Sequence, residues 1–336
     1  MSLSGFTSGT AADFDIALLE CNRLYDEGRY DEALQKAELC AGWGEIDFDR
    51  RWRGLSALGH VHHAVLHYKA ALDAQKEALD LARVHANNLR LAISWNNMGR
   101  VFLTACQWDA AVECFSHVAE DDELSAAWSK YQPLGNLAHC YLHLDMLPAA
   151  EESVRFALAL ETPDVVEQEP YSYMMFRLTF VQVALAGNGI WRDETTKRAN
   201  QVYQCAAKNG GKHHAIIQEL VKGNIEFAFG DRAAGLGLLE SLRVRAVANP
   251  LLMGDVLFSL MQAEKIMGRP ERVRSCAREW ARYLYPEGAK HAAIKLGIHG
   301  VFAPGAFLYD HLQGLGDGDA LQALPAWIKN GMKFPK

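Results

Sequence analysis

The 336-residue sequence contains no run of eighteen apolar residues. Its most apolar stretch, residues 178–187, is too short to cross a bilayer and has Arg177 at its edge, so no membrane span is expected. The first ten residues lack the basic and apolar regions of a secretory leader. The seven cysteines (Cys21, Cys40, Cys106, Cys114, Cys140, Cys205, Cys276) are odd in number, scattered, and form no CxxC. They read as small buried hydrophobes in a reducing cytoplasm. There is no basic excess either. Lys and Arg number 34 against 41 Asp and Glu, a net charge of −7, which argues against a broad nucleic-acid footprint. Alternation of β-branched and polar residues, the mark of a half-buried strand, is missing from every useful window.

Catalytic signatures are missing too. No Gly-x-Ser-x-Gly, no Gly-x-x-x-x-Gly-Lys-Ser/Thr, no His-Glu-x-x-His and no Gly-x-Gly-x-x-Gly after a strand occurs. Gly235-x-Gly237 lies inside a helical pattern and reads as close helix packing. No enzyme activity and no cofactor are expected.

What is present is a repeat. Half of the residues are apolar and a tenth aromatic, ample for a buried core. In residues 94–120, Trp95, Met98, Gly99 and Phe102 share one face of a helix, and after a turn at Gln107 a second face carries Trp108, Ala111, Phe115 and Val118. The same unit recurs around Cys21, Leu24 and Ala33, around Leu55, Gly59 and Ala71, and around Leu137, Ala138 and Ala150. The alanines Ala33, Ala71, Ala111 and Ala150 are 38, 40 and 39 residues apart. Gly235 and Val273 continue the series 38 apart, with a gap of 85 before Gly235 that calls for a fifth pair at 171–187 and 191–208. Residues 161–170 are then a longer acidic connection. About seven helix pairs result: an all-α, right-handed α-α superhelix, since no pair can bury its apolar face alone. The expected organisation is a flexible 1–11, a repeat array over 12–285, and short C-terminal helices over 286–336 that cap the array or fold into its groove.

The small–large pattern, with Gly28, Tyr30 and Ala33 spaced as Gly-x-Tyr-x-x-Ala, resembles the tetratricopeptide repeat (TPR). The resemblance covers roughly 12–285. The unit is longer than the family's usual 34 residues and resembles the repeats of bacterial MalT-like regulatory and sensor solenoids. The resemblance implies a superhelix whose first helices line a concave groove, a peptide or protein partner, and a regulatory, signal-sensing role.

If the first helices line that groove, helical spacing puts Asn22, Arg53, His60, His63, Asn96, Arg100, Gln132, His139, His143 and Asn224 on its face. Asn and Gln amides offer both acceptor and donors to an extended peptide backbone, and an Arg fork suits a carboxylate or phosphate. The expected ligand is therefore a peptide, a protein segment or a small anionic molecule. A structural adaptor using its convex face is the rival expectation, and an enzyme built on the histidine clusters a third. The i, i+4 pairs His63/His67 and His139/His143 could each put two imidazoles on one side of a metal, but no carboxylate or cysteine at a matching offset closes a site, so no metal is expected. His213-His214 opens the sixth unit without a partner signal. The helix bearing Tyr171, Tyr173, Met174, Met175, Phe176 and Phe180 is read mainly as core.

Overall fold

The computed structural model describes residues 10–284, apart from 44–46, 106, 129, 145, 162–169, 187–191 and 210–211. Residues 1–9 of the expected flexible start and the whole of the expected C-terminal cap therefore lie outside the described residues, while Thr10 and Ala11 already belong to the start of the first helix. Among the described residues there are fifteen α-helices, one short 3-10 turn and no strand. Fourteen of the helices form seven pairs: α1 (Ala11–Asp26) with α2 (Tyr30–Ala41), α3 (Phe48–Ala64) with α4 (Tyr68–Val84), α5 (Asn88–Thr104) with α6 (Trp108–Glu120), α8 (Tyr131–His143) with α9 (Leu147–Ala159), α10 (Pro170–Ala186) with α11 (Arg192–Asn209), α12 (Lys212–Phe229) with α13 (Arg232–Arg245), and α14 (Pro250–Ile266) with α15 (Pro270–Leu284). The short α7 (Asp122–Ala127) is inserted between the third and fourth pairs. The fold is a TPR-like helical solenoid.

The fourth residue of each second helix is Ala33, Ala71, Ala111, Ala150, Thr195, Gly235 or Val273, and all seven are buried. Thr195 supplies the member that the sequence pattern blurred. A small side chain here lets the second helix lie close to the first. Larger residues close the pair one turn later. A Cβ added at Gly59 would meet Gln75, at Gly99 would meet Phe115 and at Gly223 would meet Leu239, each partner sixteen residues on. Gly235 is the least forgiving case, because a Cβ there would lie 2.3 Å from the Phe227 nitrogen, which is backbone rather than the end of a flexible side chain.

The turns repeat as faithfully as the packing. In five of the seven pairs the last residue of the turn donates its N–H five residues back, Arg29 to Leu24, His67 to His62, Gln107 to Phe102, Met146 to Tyr141 and Arg269 to Glu264, at 2.8–2.9 Å. This is the six-to-one bond that closes a helix through a left-handed residue. Gly28 (φ 73°) and Gly268 (φ 67°) take that conformation without a Cβ penalty, whereas Leu66 (φ 60°) takes it with one. Four first helices start on side-chain caps: Thr10, Asp47, Asn87 and Asn249 each accept a backbone N–H of the first turn.

The superhelix winds far enough to meet itself. The Tyr30 hydroxyl is 3.5 Å from His213 Nε2, across 183 residues of sequence, and Asn249 Nδ2 is 2.7 Å from His213 Nδ1. The same winding carries the seventh pair against the fourth, where the Phe258 and His143 rings lie 4.1 Å apart.

Candidate functional site

The concave side holds a cavity enclosing about 1020 Å³ of empty space including its mouth. Its central wall is α8. Tyr131, Gly135, His139 and His143 recur every fourth residue, with Gln132 and Asn136 beside them, so one helix face supplies six lining residues. His63 comes from α3, Arg100, Leu103 and Thr104 from α5, Met175, Phe176 and Thr179 from α10. The seventh pair closes the far side with Gly254, Asp255 and Trp280.

Of the ten sequence-derived positions, five line this cavity together: His63, Arg100, Gln132, His139 and His143. Asn96 sits behind them, donating to Gln132 Oε1 (3.4 Å) and accepting from Asn136 Nδ2 (3.0 Å). It positions the two amides. His60 is half-buried next to Arg100. The other three lie elsewhere. Asn22 is exposed on α1. Arg53 is held by Asp15 and Asp49. Asn224 is buried in a helix seam, donating to the Leu220 carbonyl (2.9 Å) and Ser259 Oγ (3.0 Å).

The ionisable groups of the cavity are unusual in lacking counter-charges. Arg100 has no ion-pair partner among the described residues. Its neighbours are histidines held neutral. Burial, then the Arg100 charge, lowers His60 to about 4 and pushes His63 further down. Burial alone lowers His139 to about 4, and burial together with His139 pushes His143 well below the usual range. The neutral forms are used structurally. His63 Nε2 is 2.8 Å from Thr104 Oγ1, and His139 Nε2 is 2.7 Å from His143 Nε2, so one imidazole of that pair donates and the other accepts. The His143 ring is stacked on Trp108 with an interplanar angle of 3°. His67, expected near a turn, is the residue preceding α4. Among the described residues no group of three or more His, Cys, Asp or Glu is arranged to hold a metal ion.

Asp255 and Trp280 were not singled out from the sequence. For Asp255 the signal existed: it lies eighteen residues before Val273, just as Arg53 precedes Ala71 and Gln132 precedes Ala150, so it occupies the same helix position. Trp280 belongs to a second helix, the type assigned to the outer layer. Only the winding that lays the seventh pair against α8 brings it in.

No family model matches this sequence, and no curated protein matches it. The chain is similar to a solved structure of a Rap protein complexed with competence and sporulation factor. The match has a TM-score of 0.53 over 96% of this chain and 88% of that one, at 12% sequence identity. At that identity the likeness is one of fold, and it agrees with the helical-repeat architecture described above.

Proposed function

We propose that this protein is a non-catalytic binding protein that holds a peptide or protein segment in the concave cavity, in a regulatory, signal-sensing role in the cytoplasm. The observation that carries the reading is the convergence of polar side chains from five first helices, α3, α5, α8, α10 and α14, on one cavity that holds Arg100, which has no ion-pair partner among the described residues. An unpaired cation beside neutral imidazoles fits a carboxylate brought by a ligand, while Gln132 and Asn136 offer amides to a peptide backbone. The similar Rap structure, complexed with its factor, supports a binding role for this architecture, as does the long repeat that resembles MalT-like sensors. The six described cysteines are buried and form no disulfide among the described residues, in keeping with a reducing compartment. Catalysis fits the site poorly: His63, held well below 6.5, is a weak base for the Thr104 hydroxyl beside it.

Native mass spectrometry of protein purified from its source tests the reading. A co-purifying peptide is expected, and the Arg100→Gln variant should lose it while remaining folded. Ligand retained by Arg100→Gln at unchanged occupancy would refute the cavity assignment.

A further inference from the structure

Asp255 stands apart from the other acidic groups of the array. Glu264, on the same helix, is even more buried, yet Arg269 and Arg272 reach its two oxygens at 3.5 and 3.3 Å. Asp255 is 7% exposed, and its Oδ1 has no hydrogen-bond partner among the described residues. The nearest polar atom is His139 Nε2 at 3.6 Å, beyond hydrogen-bond reach, and that nitrogen is already bonded to His143 at 2.7 Å. Both imidazoles are neutral, so neither is a counter-ion. A buried carboxylate without donor or counter-charge is costly to the fold. It persists where something outside the chain completes it. Asp255 lines one cavity together with Trp280 and Phe176. A single carboxylate and aromatic rings in the same cavity suit a compact cation, through the opposite charge and the ring quadrupoles together.

We propose that Asp255 anchors a primary ammonium group of the bound peptide, contributed by its amino terminus or by a lysine side chain. This rests on the reading of the cavity as a peptide site and adds a second pole to it, opposite in sign to Arg100. The cation supplies the missing counter-charge, and the cavity limits the competing water. Burial pushes the Asp255 carboxyl up to about 7 in the ligand-free protein. Arrival of an ammonium favours the ionised form, so binding near neutral pH releases a proton and tightens as pH rises through 7. The titratable groups facing Asp255 are His139 and His143 from α8. Arg100 and His63 share its cavity, while α10 contributes Met175, Phe176 and Thr179, and α15 contributes Trp280, none of which titrates.

The test is isothermal titration calorimetry of the full chain with the synthetic peptide Gly-Ala-Lys-Ala-Gly. It is used in four forms: unmodified, amino-terminally acetylated, with norleucine in place of lysine, and with both changes. The form lacking both ammonium groups should bind about tenfold more weakly than the unmodified peptide or worse. Whichever single change costs affinity identifies the source of the cation. Asp255→Asn should abolish the discrimination while keeping the affinity of the doubly changed form, with a thermal midpoint no lower than wild type. Independently of any variant, affinity of wild type for the ammonium-bearing forms should rise between pH 5.5 and 8, and that of the doubly changed form should not. Equal binding of all four forms would overturn the ammonium anchor and leave the peptide cavity standing. Binding of none would overturn both.

Discussion

Two arginines on first helices of this array face opposite situations. Arg177, on α10, is completely buried and completely engaged: it bonds Glu161, the Tyr131 hydroxyl (3.0 Å) and Gln201 Oε1 (3.0 Å), and its guanidinium lies 4.1 Å from the centre of the Tyr173 ring. Arg100, on α5, is half-buried on the cavity wall with no ion-pair partner among the described residues. The acids repeat the contrast, since Glu161 is spent on Arg177 while Asp255 has no donor. Where charge serves the fold it is saturated within the chain. Along the cavity it is left open, as expected of a site that waits for a ligand to complete it.

The sharpest way to break this contrast is to unpair the saturated site. Arg177→Gln should destabilise the protein by about 3–5 kcal/mol, read from denaturant unfolding, because Glu161 and the Tyr131 hydroxyl lose their buried partner. A loss under about 1 kcal/mol would show that Arg177 is as dispensable to the fold as Arg100.

Acid tests the cavity as a whole. His60, His63, His139 and His143 have folded-state values depressed below 6.5, so the stability they contribute is present above that pH and is lost as pH falls from 6.5 towards 4. Asp255 works in the other direction, costing stability as pH rises from its ordinary 3.8 towards 7. Four groups oppose one, so stability at pH 5 should lie below that at pH 7 by on the order of a few kcal/mol. A thermal midpoint that does not fall between those pH values would contradict the neutral-histidine cavity.

Gly235 and Gly237 sharpen the point for backbone packing. Two residues apart in one helix, they have different surroundings. Ala at 235 meets the Phe227 backbone and should cost about 1–3 kcal/mol. Ala at 237 meets nothing within 4 Å and should stabilise α13 by about 0.5–1 kcal/mol through helix propensity. The smallest effect on stability is expected for Arg100→Gln, within about 0.5 kcal/mol of wild type, with ligand binding lost.

The all-α class, the seven pairs, the fifth pair to within a residue at each of its four ends and the role of Gly235 were all legible in the sequence, because they rest on local periodicity. Apolar spacing selects a helix, and a small residue recurring about every 39 positions marks where two helices touch. Five of the sixteen residues lining the candidate site were legible for the same reason: the concave face is a helical position, and His63, Arg100, Gln132, His139 and His143 occupy it. Tertiary structure alone decided which of the equivalent positions share one cavity. Asn22, Arg53 and Asn224 obey the same spacing as Arg100 and His139, yet they are exposed, ion-paired or packed in a seam. The difference is the superhelical winding, the sum of small rotations between successive pairs. That winding sets the seventh pair against the fourth, bringing Asp255 and Trp280 to histidines more than a hundred residues away in the chain. No local pattern encodes such a sum.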